Sequence, residues 1–295
     1  MTTPPICDYE GSDYQTKFWE EGGRDYEDAV EAIALRRLLP KQGNLLLELG
    51  AGAGRNTPRY NNFQRVFLVD YSMTQLRQAQ ERLGKSVRFR FVAADIYHLP
   101  FVTGLFDTAT MIRTLHHMAD APAALEQIAN TMQTNGALIL EYANKRNLKA
   151  ILRYLTGKQT WNPFSHEPIE FADLNFDFHP ASVSKWLKDC GFKIERQRTV
   201  SHFRMQILKR LTPLKLLVFM DKLFQPTGSF WQLTPSVFLR AIYKEDVARA
   251  INGDFFRCPA CLYSPLMDSP PKLICPACGK TWPVVDGIYD FRMDK

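Results

Sequence analysis

The chain lacks any uncharged run near the ~18 residues that a membrane-spanning helix requires, so no span is expected. Residues 1–10, MTTPPICDYE, carry no basic region and no apolar run, so they do not read as a signal peptide. Cysteine is scarce, six in 295 residues, with none between Cys7 and Cys190. Four of the six fall in two C-x-x-C pairs, which in a non-secreted chain points to a metal rather than to disulfides. The expected location is cytoplasmic. Strong charge of either sign is also missing. A net charge of +6 permits an RNA or anionic-membrane partner and argues for neither. What is present is ordinary globular composition, 45% hydrophobic and 23% charged, with length for one to two domains.

The most informative stretch is Leu45 to Tyr60, LLLELGAGAGRNTPRY. An apolar run into Glu48 fits a strand buried on both faces, as in a parallel sheet. Glycine then recurs at Gly50, Gly52 and Gly54, interleaved with Ala51 and Ala53. Glycine permits a sharp turn and a close approach of ligand to backbone. A helix opening just after it would offer free N–H groups to an anionic or electron-rich ligand. The dinucleotide fingerprint G-x-G-x-x-G fails in both frames, because Arg55 or Thr57 stands at the third glycine position. A tight strand–helix turn without ligand is the plain alternative.

Before this stretch, residues 9–26 are rich in aromatics: Tyr9, Tyr14, Phe18, Trp19 and Tyr26. They either cover a pocket or pack a first helix onto a sheet, and packing is the expectation for most of them. Asp25 to Leu38 has helical apolar spacing and is stopped by Pro40. After it, RVFLVD reads as a second strand ending in Asp70. That acid lies about 20 residues past the glycines, where a nucleotide-binding α/β unit keeps a carboxylate for ribose hydroxyls. Asp70 also suits the N-cap region of a helix over Ser72–Leu83. A third strand ends at Asp95, followed by Ile96. A fourth, Phe106 to Arg113, runs into Thr114-Leu115-His116-His117, and a fifth, Gly136 to Asn144, carries Glu141 and Tyr142. Ligands in open α/β sheets sit beyond the carboxyl ends of strands, so these tails should line a site.

Residues 44–144 resemble the class I S-adenosylmethionine (SAM)-dependent methyltransferases, with four motifs in order. The resemblance implies an α/β, Rossmann-like sheet of seven strands, helices on both faces and an antiparallel last strand. It implies that Glu48 and the loop Gly50, Ala51, Gly52 and Gly54 hold the amino-acid end of the cofactor. A basic residue of the N-terminal segment, here Arg24, would meet the SAM carboxylate. Asp70, with Tyr71 beside it, would take the ribose, Asp95 the adenine amino group, and Ile96 the ring. Arg113 stands on the cofactor side where the family commonly has a small or acidic residue. His116, His117 and Tyr142 are the candidate catalytic residues, with His179 as a further one.

The remainder divides into two insertions and a tail. Residues 145–179 read as a long irregular wall of a substrate pocket. Pro180 opens a helix that Gly191 ends. Phe192 to Val200 and Ser236 to Lys244 are the sixth and last strands. Between those two strands lies the insertion 203–233. Its segment 204–224 mixes apolar residues with Arg204, Lys209, Arg210, Lys215 and Lys222. That pattern suits a membrane surface, a partner groove, a lid, or packing on its own domain.

The expected domains are a methyltransferase domain, 1–250, and a four-cysteine zinc ribbon, 251–295. Cys258, Cys261, Cys275 and Cys278 form two knuckles thirteen residues apart, a structural tetrathiolate site with no open position for catalysis. The knuckles and Trp282 to Ile288, WPVVDGI, resemble the small zinc-binding activator subunit of tRNA and protein methyltransferases. Fusion implies intramolecular docking. The ribbon's cations and acids balance, which gives nucleic-acid binding no electrostatic support.

The expected function is methyl transfer from SAM to a small, apolar metabolite or lipid. Displacement at the methyl needs mainly alignment, worth roughly 7–11 kcal/mol. The alternatives are an rRNA or tRNA methyltransferase docked through the ribbon, and a non-catalytic SAM-binding scaffold. Adenine-amino transfer is disfavoured because Ile112-Arg113-Thr114-Leu115 is no N/D-P-P-Y/F motif. Cytosine-carbon transfer is disfavoured because the pocket has no Pro-Cys nucleophile.

Overall fold

The computed structural model describes residues 4–12, 19, 21–84, 86–250 and 253–293. Tyr14 and Phe18 of the aromatic stretch, and Ile251 and Asn252 of the linker, lie outside the described residues. The sheet is assembled around strand β1 (Gly43–Leu49), which runs between β2 (Phe63–Asp70) and β4 (Phe106–Met111), parallel to both. Strand β3 (Phe89–Ala93) adds parallel to β2, and β5 (Met132–Ala143) parallel to β4. Strand β9 (Ser236–Tyr243) then inserts antiparallel between β5 and β8 (Phe192–Val200). The order β3-β2-β1-β4-β5-β9-β8 gives the seven expected strands, with only β9 reversed. Between them come β6 (Ile169–Ala172) and β7 (Asn175–Asp177), which form a separate hairpin.

Side chains on β1 alternate between two cores. Leu47 and Leu49 face one, with helices α3 (Ala121–Thr131) and α5 (Pro180–Asp189); Leu46 faces the other, with α2 (Met73–Leu83). Helix α1 (Asp25–Leu38) covers the far half of that second face through Tyr26, Val30, Ala34 and Leu38 against Ile139 and Phe238. Both faces are therefore sealed, which is why the strand reads as a continuous apolar run. Each fully buried leucine of this kind contributes about 1.5–3 kcal/mol.

Two regions differ from expectation. Residues 145–179 are not irregular: they hold helix α4 (Leu148–Leu155) and the β6–β7 hairpin. Asn147 caps α4, its Oδ1 accepting from the Ala150 N–H at 3.0 Å. The insertion 203–233 folds as α6 (Gln206–Leu211) and α7 (Leu214–Phe224). Helix α7 packs on α1 through buried Leu217 and Asp221. The Tyr26 hydroxyl donates to Asp221 Oδ2 at 2.6 Å. Among the described residues no helix is long and apolar enough to cross a membrane.

The tail joins the sheet rather than hanging from it. Strands β10 (Met267–Ser269), β11 (Lys272–Ile274), β12 (Thr281–Val285) and β13 (Ile288–Asp290) form an antiparallel ribbon, and β13 pairs parallel with β3 at Ile288–Asp290 against Phe91–Ala93. The result is one sheet of eleven strands. Trp282 and Phe291 meet at a tilt with centroids 5.6 Å apart, Phe291 meets Phe256 at 5.0 Å, and Phe256 stacks on Phe101 at 5.8 Å. The tail's core thus merges with that of the main body.

Candidate active site

At the carboxyl ends of β1 to β4 the chain leaves a cavity. Its floor is the glycine loop, Gly50 to Ala53. Its sides are Asp70 and Tyr71 after β2, Ala94 to Tyr97 after β3, and Ile112 to Thr114 after β4. Ile6, Cys7, Tyr9 and Trp19 of the N-terminal segment close it from above. That segment is latched to the start of α2. Glu10 Oε1 accepts from Thr74 Oγ1 at 2.5 Å, and Ser12 O accepts from Gln75 Nε2 at 2.9 Å. Among the described aromatics of this stretch, Tyr9 and Trp19 line the pocket and Tyr26 packs the first helix.

The loop's shape is dictated by space as well as by dihedrals. Gly50 has φ +63°, and a Cβ there would sit 2.1 Å from Thr114 Oγ1. Gly50→Ala should therefore cost about 2 kcal/mol through strain and collision together. Thermal melting of the variant checks this. An unchanged midpoint would show that the β1 and β4 tips can separate freely. Gly54 turns away from the cavity, toward Ala79 and Leu83 of α2.

Asp70 is held by the loop it serves. Gly52 N–H donates to its Oδ2 at 2.8 Å and Ser72 N–H to its Oδ1 at 3.0 Å. Each carboxylate oxygen keeps a lone pair for a ligand. Burial nevertheless pushes its pKa up to about 6. Asp95 caps a short 3₁₀ turn, accepting from Tyr97 N–H at 2.9 Å, and meets His98 Nδ1 at 2.8 Å. Ile96 lies beside it in the lining.

Glu48 is placed differently. It is buried beneath the loop, outside the lining, and accepts from Thr57 Oγ1 at 2.6 Å. Burial pushes its pKa up to about 8, against the pull of Thr57 and of Arg55. Arg24 is likewise absent from the lining and lies 3.9 Å from Glu27. One guanidinium that does line the cavity is Arg55, stacked 3.5 Å over the Trp19 ring and paired with buried Glu31 at 2.9 Å. Sequence reasoning missed both Arg55 and Trp19. Arg55 follows the glycines directly, which was a usable signal; Trp19 meets it only through the fold.

Arg113 also lines the cavity, in the left-handed region at φ +60°. A side chain rarely adopts that conformation unless its surroundings over-determine it. Here two buried acids do so. Glu141 Oε2 accepts the Arg113 N–H at 3.0 Å, and Glu31 Oε1 accepts from its Nε at 2.8 Å. Glu31 is held below the usual carboxylate range, because Arg113 and Arg55 outweigh its burial.

Of the candidate catalytic residues, only His117 lines the cavity. Its Nδ1 lies 3.0 Å from the Leu174 carbonyl, which can only accept, so Nδ1 carries the proton. Nε2 then accepts from the Tyr9 hydroxyl at 3.1 Å. Burial keeps the ring's pKa below its ordinary value. His116 packs against His117 with ring centroids 4.0 Å apart and lies outside the lining. Tyr142 is sealed in the core, also outside it. His179 caps α5 through Nδ1, accepting from Ala181 N–H at 3.2 Å. Burial, then Arg146, depress its pKa to about 4. No residue from 145–179 or from 203–233 belongs to this lining; the first insertion reaches it only through the Leu174 carbonyl behind His117.

In the tail, the sulfurs of Cys258, Cys261, Cys275 and Cys278 lie within 4.8 Å of one another. Cys258 and Cys278 are 3.7 Å apart, and Cys261 and Cys275 3.4 Å. A tetrahedron with ~2.3 Å zinc–sulfur bonds has edges of roughly 3.8 Å, so the cluster is compatible with a small zinc-binding element.

Residues 47–140 match the family model described as a methyltransferase domain. Among curated relatives, an O-methyltransferase of Penicillium expansum is 28% identical over 151 residues, covering 47% of this chain and 54% of its own. The 2-phytyl-1,4-naphtoquinone methyltransferase of Nostoc punctiforme is 31% identical, over 39% of this chain and 54% of its own. The chain thus spans about half the length of these relatives. A chain from the complex between the Haloferax volcanii Trm112 methyltransferase activator and a methyltransferase superposes with a TM-score of 0.55 at 14% identity, over 79% of this chain and 96% of that one. At that identity the likeness concerns the fold. Strand order, cavity and comparisons agree: the chain is built on the Rossmann-like α/β methyltransferase fold, with the methyltransferase-domain match in residues 47–140.

Proposed function

We propose that the chain is a SAM-dependent methyltransferase acting on a small, apolar acceptor. The observation that carries this is the convergence on one cavity of the Gly50–Gly52 loop, Asp70 and the Asp95–Ile96 pair, from three separate strand tips. In this reading Asp70 takes the ribose hydroxyls, Asp95 the adenine amino group and Ile96 the ring. Arg55 and Arg113, rather than Arg24, face the amino-acid end. The relatives named for O-methyl and naphtoquinone methyl transfer support a small-molecule acceptor.

SAM supplies the activated methyl. The chain's own part is to align the acceptor and shut out water, which the N-terminal strap of Tyr9 and Trp19 is placed to do. His117 is neutral, and its Nε2 lone pair, which accepts from the Tyr9 hydroxyl at the cavity edge, becomes available when an acceptor's hydroxyl takes that place. It is the residue positioned to take a proton from a hydroxyl acceptor. The four cysteines would hold a structural zinc, with no step of the transfer passing through it.

Calorimetry with SAM and with S-adenosylhomocysteine tests the cofactor. A panel of small phenols and quinols, set against RNA, tests the acceptor. Binding of both cofactor forms and turnover on small hydroxylated rings is the expected result. A folded chain that binds neither form would end the proposal.

A further inference from the structure

Most of the large hydrophobic side chains left exposed among the described residues fall within the two insertions. Helix α4 shows the pattern most clearly. Only Ala150 is buried, whereas Leu148, Leu152 and Leu155 are 50%, 53% and 68% exposed. Their spacing, i, i+4 and i+7, puts all three on one stripe, and that stripe faces solvent. An amphipathic helix normally turns such a stripe to the core. Here the core contact is a single alanine.

The neighbouring insertion continues the surface. Leu148 N–H donates to Leu233 O at 2.8 Å, and Asn144 Nδ2 donates to Gln232 O at 2.8 Å, so the loop after α7 abuts the start of α4. That loop presents Phe230 and Trp231, 80% and 69% exposed. Helix α7, which leads into it, buries Leu217 and Asp221 against α1 and turns Leu216, Phe219 and Leu223 outward.

Charge identifies what covers this face. No acidic residue occurs from Tyr142 to His166, a stretch that carries Lys145, Arg146, Lys149, Arg153 and Lys158. From Arg196 to Lys244 the only acid is Asp221, and it is buried. A groove beside α4 gathers Lys149, Arg153 and Lys158 around Trp161 and Phe171, with Asp177 the one acid in its lining. A protein partner would need only the apolar stripe or a matching acidic surface of defined shape. Leucines flanked by flexible cations, with exposed tryptophan and phenylalanine beside them, match the interfacial layer of an anionic bilayer.

We infer that helix α4 and the Phe230–Trp231 loop dock the protein on an anionic lipid surface. The apolar stripe enters the headgroup boundary and the lysines and arginines meet lipid phosphates. The inference does not rest on the methyltransferase reading, since none of these residues lines the cofactor cavity.

The test is flotation of the full-length chain with vesicles of phosphatidylglycerol and phosphatidylcholine, against vesicles of phosphatidylcholine alone. Flotation with the anionic vesicles only is expected. It should fall roughly fivefold or more in Leu152→Ser/Leu155→Ser and again in Lys149→Glu/Arg153→Glu. These positions are exposed, so both variants should keep the wild-type melting point. Equal flotation with neutral vesicles, or flotation indifferent to both double variants, would overturn the inference. So would failure to float combined with a concentration-dependent dimer that Leu152→Ser/Leu155→Ser abolishes, because a second copy would then be the occupant.

Discussion

Replacing Asp70 with alanine is expected to weaken SAM binding by at least about a hundredfold while leaving the chain folded. In the proposed role its two oxygens each accept one ribose hydroxyl. Hydrogen bonds to a charged group contribute about 1.5–3 kcal/mol each, so losing two accounts for the hundredfold. The pH dependence is sharper still. Burial raises the pKa of Asp70 to about 6, so its carboxylate is ionised at pH 8 and protonated at pH 5. Affinity for SAM should therefore fall as pH drops through 6, and Asp70→Asn should flatten that part of the profile. Stability without cofactor runs the other way. A carboxyl whose pKa is higher folded than unfolded binds its proton more tightly in the native state. Its contribution favours the fold at low pH and is lost as pH rises from the ordinary range near 3.8 through 6. Calorimetry and melting from pH 5 to 8 would show the two trends crossing. An Asp70→Asn profile parallel to that of the wild type would remove Asp70 from the ribose site.

The fold was legible wherever a regular apolar pattern is bounded by a proline or a glycine, as by Pro40 after the first helix and Gly191 before the sixth strand. Asp25–Leu38 and Phe192–Val200 begin and end where their periodicity says. The sheet order follows from five strands that each feed a crossover. The site was legible at strand tips, because position after a strand fixes where Asp70, Asp95 and Ile96 project. It was not legible where a role depends on a partner far along the chain. Arg24 and Arg55 are equally basic in sequence. Only the packing of Trp19 and Glu31 brings Arg55 to the cavity and leaves Arg24 outside it. Glu48 and Tyr142 read as site residues because they sit near strand ends, but both face inward. Helix α4 was missed because its apolar stripe spans only eight residues, too short a run for the period to stand out.

The second large effect concerns the tail. The expected metal content is one zinc per chain, and Cys275→Ser should abolish it. A structural tetrathiolate site supplies on the order of 10 kcal/mol of folding free energy to a segment too small to fold on its own core. Without the metal, strands β10 to β13 are left with the β13–β3 pairing and the contacts of Trp282 and Phe291, and the consequences of losing it reach the cavity. Strand β13 covers the edge of β3, and Phe291 N–H donates to Ala93 O at 2.8 Å. Ala94 to Ile96, in the cavity wall, follow directly. Arg292 packs over the ring of Tyr71, 5.7 Å from its centroid, and Tyr71 lines the cavity. Release of the tail bares an unpaired strand edge and a merged aromatic core, both of which favour aggregation. Cys275→Ser, or wild type stripped by a chelator, should therefore melt earlier, aggregate on heating and bind SAM more weakly, even though no cysteine of the cluster touches the cavity. Metal analysis, melting curves and calorimetry on the same preparations decide it. A zinc-free chain with unchanged melting and unchanged affinity would mean that β13 is held to β3 by the aromatic core alone.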